Sequence, residues 1–141
     1  MFAYLMMPID MFRNPFHKGL GVHDGKLKKL PSTPNCVSTQ TDQKRKRVAP
    51  LPYVDGDREL TRTKIKGILG GMPDDIRLMA DEPNYLYVVF VSHLWKFRDD
   101  VEFYFDDETQ QVEYRSSSRL GVGDMGVNKE RYRIISQAFR F

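Results

Sequence analysis

Two neighbouring runs constrain the fold of this chain more than any other feature. Asp99 to Asp106 alternates, with Val101, Phe103 and Phe105 on one side and Asp100, Glu102 and Tyr104 on the other. Gln111 to Arg119 alternates as well, setting Val112, Tyr114, Ser116 and Ser118 against Glu113, Arg115, Ser117 and Arg119. Successive side chains of a strand point to opposite faces, so each run reads as a strand with one apolar side. The link Asp107-Glu108-Thr109-Gln110 is short and polar, which makes an antiparallel hairpin the economical connection.

Other elements can be read outward from this hairpin. Tyr85 to Ser92 is aromatic and β-branched on both faces, as a central strand requires. Ile76 to Asp81 is a weaker strand, joined to it by Pro83-Asn84. Upstream, Asp57 can cap a helix whose apolar positions Leu60, Ile65, Ile68 and Leu69 share one side, and Gly70-Gly71 and Pro73 stop it. Downstream, a helix from about Val127 to Ala138 has Ile134, Ile135, Ala138 and Phe139 as its expected buried stripe. The order α-β-β-β-β-α with short links predicts an α+β fold: an antiparallel sheet of four or more strands, with two main helices packed on one face.

The first 57 residues hold no period of two or 3.6 and read as an irregular arm. Domain boundaries are expected at residues 1–30 for the N-terminal arm and 31–141 for a single α+β domain. Pro50 and Pro52 bracket Leu51, so that spot is expected to be extended. A 141-residue chain that is 40% hydrophobic and 29% charged suits one globular domain. Its net charge of +3 comes from interspersed ions and calls for no nucleic acid. The one basic run, Lys44-Arg45-Lys46-Arg47, lacks flanking aromatic residues and reads as a solvated loop. Cys36 is the single cysteine, and His17, His23 and His93 lie far apart, so neither a metal site nor a cofactor is expected.

The opening Met-Phe-Ala-Tyr-Leu-Met-Met-Pro-Ile-Asp has no basic region before it, is broken by Pro8 and Asp10, and lacks a small-residue cleavage site. No signal peptide and no transmembrane segment is expected, and the location expected is cytoplasmic. Docking of this segment on the core or a neighbour is the leading expectation, with peripheral membrane contact through Met1 to Phe16 as the alternative.

Chemistry is concentrated between Arg115 and Asn128. Gly121-Val122-Gly123-Asp124-Met125-Gly126 matches a dinucleotide fingerprint between a strand and a helix, but the following parallel strand and acidic residue are lacking. What survives is the anion-receptive character of glycines before a helix, or a plain cap by Asp124 or Asn128. Arg115, Ser117 and Arg119 project together beside Asp100 and Glu102. Two readings stay open: cross-strand ion pairs on a solvated face, or a guanidinium clamp for a carboxylate or phosphate. Asn35-Cys36-Val37-Ser38-Thr39-Gln40 is the second polar concentration. Cys36 there is either a buried inert thiol or a nucleophile served by His93. Trp95 and Phe97 read as hydrophobic cover over the sheet end.

These residues carry a family resemblance. Pro34-Asn35-Cys36-Val37-Ser38, Pro83-Asn84-Tyr85, Phe97 to Phe105 and Arg115 to Asn128 with Lys129 resemble, in order, the bacterial and plastid family catalogued as domain of unknown function 1499. The resemblance covers about Pro31 to Phe139. It implies motif positions at Cys36, Ser38, Asp100, Glu102, Arg115, Ser117, Arg119, Gly121, Asp124, Gly126 and Asn128, without implying a reaction. Many relatives resemble exported or membrane-anchored proteins, a pattern from which this N-terminus departs.

The leading expectation is a non-catalytic binding or interaction module for a small anionic ligand or a protein partner. Its site is expected to draw on Arg115, Ser117, Arg119, Asp124, Asn128, Asn35, Cys36, Ser38, Asp100 and Glu102. One alternative is a hydrolase or thiol-dependent enzyme using Cys36 with His93 or Asp124. Another is a structural subunit of a larger or membrane-associated assembly.

Overall fold

A computed structural model describes residues 19–94, 96–120 and 126–141 of the chain. Among these, eight strands and α-helices follow in order: β1 (Cys36–Ser38), β2 (Leu51–Pro52), α1 (Arg58–Gly71), β3 (Asp75–Glu82), β4 (Tyr85–Val91), β5 (Arg98–Asp106), β6 (Gln111–Ser118) and α2 (Val127–Arg140), with a 3-10 turn at Lys44–Lys46. The strands form one six-stranded antiparallel sheet in the order β1-β6-β5-β4-β3, and β2 joins the same flank of β6 as β1. The predicted hairpin is present, with Asp106 opposite Gln111 and Glu102 opposite Arg115. β3 occupies the far margin, where a register shift between Leu78 and Ala80 makes a bulge.

Both helices cover one face of the sheet. Asp57 caps α1, its Oδ1 accepting from the Leu60 N–H at 3.1 Å. Ile65 and Leu69 from α1 and Tyr132, Ile135 and Phe139 from α2 pack onto Leu86, Val88, Phe90, Val101, Phe103, Phe105, Val112 and Tyr114. The Tyr114 ring lies 5.1 Å from that of Phe103, edge-on, and 4.6 Å from that of Tyr132. Burial pushes the Tyr114 hydroxyl up to about 12.

The helix stripes differ from expectation. Leu60 and Ile134 are exposed, as is Ala138, and the buried positions are Thr61, Ile65 and Leu69 in α1 and Asn128, Arg131, Tyr132, Ile135, Ser136 and Phe139 in α2. In α2 the inward positions include the polar Asn128, Arg131 and Ser136, while Ile134 and Ala138, which the apolar pattern had placed inward, face out. Phe97 is also exposed rather than a cover over the sheet end, and Trp95 lies outside the described residues.

The other face is closed by residues 19–30, which we call the strap. Its tip is a two-residue turn, with Asp24 at φ 52° and Gly25 at φ 73°, closed by reciprocal backbone bonds between His23 and Lys26 at 2.8 and 3.0 Å. Leu27 packs against Tyr85, Tyr87, Val89 and Val91, with Leu20 and Val22 beside it. Much of the irregular arm is therefore built into the fold, since it also contributes β1 and β2. Among the described residues no helix is long and apolar enough to cross a membrane.

Candidate functional site

Strand register decides which candidate residues meet. β5 sets Asp100 opposite Ser117 and Glu102 opposite Arg115, while β1 sets Cys36 opposite Ser117 and Ser38 opposite Arg115. Cys36, Ser38, Asp100, Glu102, Arg115 and Ser117 thus share the strap side of the sheet. The two polar segments of the sequence, far apart in the chain, are brought side by side.

That face is not solvated. Glu102 is wholly buried, and Asp100, Arg115 and Ser117 are nearly so. The expectation of exposed ion pairs fails because the strap lies over them. Glu102 Oε2 accepts from the Tyr85 hydroxyl at 2.6 Å and from the Gly21 N–H at 2.8 Å. Arg115 donates from Nε to the Lys28 carbonyl at 2.9 Å, and its Nη1 lies 3.6 Å from Glu102 Oε1. No hydrogen bond reaches that Oε1 among the described residues. Burial pushes the Glu102 carboxyl above the usual carboxylate range, outweighing the Tyr85, Gly21 and Arg115 contacts that favour its ionised form. Alongside, the Tyr87 hydroxyl donates to Asp100, and Arg119 grips the same carboxylate from Nε at 3.1 Å and Nη2 at 3.0 Å. Burial, then the adjacent carboxylates, drives both tyrosines well above their ordinary range.

A second network fills the helix side at the end of β6. Asn128 Nδ2 donates to the Asn35 carbonyl and to Ser118 Oγ, each at 2.9 Å, and Asn128 Oδ1 accepts from Ser116 Oγ. Arg131 donates from Nη1 to Asn128 Oδ1 at 2.7 Å and from Nη2 to Asp99 Oδ2 at 2.7 Å. Its guanidinium also lies 4.3 Å from the Phe90 ring centroid. Asn35 Nδ2 donates to the Leu120 carbonyl. Asn128 is therefore no helix cap. Gly126, at φ 82°, holds the cap position, and Asp124 lies outside the described residues.

Asp99, Ser116, Ser118 and Arg131 belong to this network although the sequence did not single them out. Strand alternation puts Ser116 and Ser118 on the helix face, and Arg131 sits three residues after Asn128 and four before Ile135 on one helix side. That spacing was the available signal.

Cys36 is a buried thiol whose Sγ lies 3.3 Å from the Thr33 carbonyl, whereas His93 is exposed between β4 and β5. Around the basic run, Lys46 Nζ donates to the Pro31 carbonyl at 2.9 Å and the Thr33 carbonyl at 2.6 Å, and Arg47 Nε to the Thr41 carbonyl at 2.8 Å. Half of that run therefore braces backbone as well, while Lys44, Arg45 and Arg47 stay exposed.

Space for a ligand lies beside the two networks. A cleft of about 410 Å³ runs between the strap and residues 38–43, with Lys26, Lys28 and Lys29 on one wall and Ser38, Gln40 and Gln43 on the other. The Arg115–Lys28 bond ties its strap wall to the buried network.

The family profile described as "Protein of unknown function (DUF1499)" matches residues 26–139. The chain belongs to this family. The DUF1499 match takes in all the residues lining the cleft and, apart from the Gly21 amide, both polar networks. Comparison with curated proteins and with solved structures returns no match.

Proposed function

We propose that this DUF1499 protein is a non-catalytic binding module that takes a multiply charged anion in the cleft between the strap and residues 38–43. The observation that carries the reading is the wall of three lysines, faced by hydroxyl and amide groups and by a single carboxylate, Asp42. Local charge favours it too. Residues 19–54 hold seven Lys and Arg against two Asp, a net of +5 in a chain whose total is +3, so the remainder is net acidic.

Magnitude selects the ligand class. A lysine about 4 Å from an anion in a water-like medium contributes about 1 kcal/mol, so three such contacts hold a singly charged ligand only in the mM range. Several charges on one ligand are needed for tighter binding. The arginines expected to form the clamp are engaged with Glu102 and Asp100, so they brace the site while Lys26 and Lys29 face the ligand. Cys36, buried against a carbonyl, has the surroundings of a packing residue rather than of a nucleophile.

Titration calorimetry with pyrophosphate at low salt tests this. Binding should weaken with added salt and drop at least about tenfold in the double variant Lys26→Glu/Lys29→Glu. An unchanged isotherm for that variant, or no heat with the intact protein, would overturn the reading.

A further inference from the structure

We propose that the strap, residues 19–30, opens as a unit separate from the rest of the domain, and that its opening uncovers Asp100, Glu102, Arg115 and Ser117. The way it is attached motivates this. Among the described residues, every backbone-to-backbone bond recorded for the strap lies within its own turn, between His23 and Lys26. Among the described residues its hydrogen bonds to the domain run instead through side chains, Gln43 Nε2 to the Leu30 carbonyl at 3.5 Å among them. Glu102 accepts from the Gly21 N–H and Arg115 donates to the Lys28 carbonyl. Gln40 acts both ways, accepting from the Leu27 N–H at 2.8 Å and donating to the Gly25 carbonyl at 3.0 Å. By contrast β4, β5 and β6 are laced to one another along their whole lengths. Segments held by few side-chain bonds and a small apolar contact occupy the low end of a protein's opening free energies.

What the strap covers argues in the same direction. Closure seals Glu102 at 0% exposure with Oε1 lacking a hydrogen bond, an arrangement that disfavours the ionised carboxylate. The groups around it are Tyr85 and Tyr87 from β4, Asp100 with its partner Arg119, Arg115 from β6, and the Gly21 amide of the strap itself. Because burial raises the Glu102 carboxyl, its contribution to closure is fully present below the ordinary carboxylate range. It is lost as pH rises through the raised value, so rising pH loosens the strap.

A regulatory role rests on the function proposed above, because the strap is one wall of the lysine cleft; the opening itself does not. If an anion binds only the closed form, it must slow opening.

The experiment is amide hydrogen exchange on the intact chain, corrected for intrinsic rates, between about pH 5.5 and about pH 8. Strap amides should be at least about tenfold less protected than those of Val88 to Phe90 and Val101 to Phe105, with protection falling as pH rises. Gln40→Ala removes two ties, and should speed both strap exchange and tryptic cleavage after Lys26, Lys28 and Lys29 by about tenfold while core exchange stays unchanged. Strap amides as protected as the core strands, in the wild type and in Gln40→Ala alike, would overturn the proposal. A strap that opens as described but is not slowed by pyrophosphate supports the strap and counts against the cleft.

Discussion

The two faces of the sheet are both buried, yet they are buried in different ways. The helix face rests on interlocked large side chains, Phe103, Phe105, Tyr114 and Ile135 among them, and on two 14-residue helices. The strap face carries carboxylates and guanidinium groups from the same strands and is closed by a thin irregular segment. Alternation along β5 and β6 produces both at once, because each residue that adds an aromatic ring to one side adds a polar neighbour to the other. Burying apolar surface is favourable without conditions, whereas burying ions is tolerated only while every partner stays in place. One face is therefore a foundation and the other is conditional on its cover.

Four substitutions at three sites probe these kinds of burial, one of them the ion pair that the helix face also holds, Asp99–Arg131. The largest effect is expected from Phe103→Ala, which empties a wholly buried position beneath both helices and should cost about 3–5 kcal/mol in urea unfolding. A loss below about 1 kcal/mol would mean that the helix face is not the foundation described. Arg131→Ala comes next, at about 3 kcal/mol, because it strands the Asp99 carboxylate and deprives Asn128 and Ser116 of a partner inside the helix-side network. Restoring the charge as Arg131→Lys should recover only part of that, since an ammonium cannot span Asn128 and Asp99 as a planar fork does. The smallest global effect is expected from Leu27→Ala, about 2 kcal/mol or less, although Leu27 is as buried as many core residues. Its loss should appear mainly as faster proteolysis at the strap lysines. A global destabilisation equal to that of Phe103→Ala would erase the contrast between the faces.

The β5–β6 pair was legible in the sequence because period-two runs of nine and eight residues leave little choice of partner once a four-residue polar link joins them. β1 and β2 were not, since three and two residues are too few to carry a period, and their place is decided by the flank of β6 that they complete. The meeting of Asn35 to Ser38 with Arg115 to Ser118 follows from that pairing, so it could not be read locally. The sequence left two readings open for Asp100, Glu102 and Arg115, because the cover that buries them is supplied by a strap whose buried leucines, Leu27 and Leu30, are separated by two lysines. The last helix shows the same blindness on the other face. Hydrophobic periodicity chose Ile134, while the inward positions belong to Asn128 and Arg131, polar residues stabilised by partners that only the fold provides.

The bulge in β3 has a consequence for how this protein behaves in a crowd of its own copies. Among the described residues β3 forms the sheet's margin away from β1, and an outermost strand is a template on which another chain can extend the sheet. Here the register break beside Met79 spoils the regular spacing such growth needs, and Asp75, Arg77, Asp81 and Glu82 string charge along the same strand. The described margin is in this way made a poor seed for aggregation.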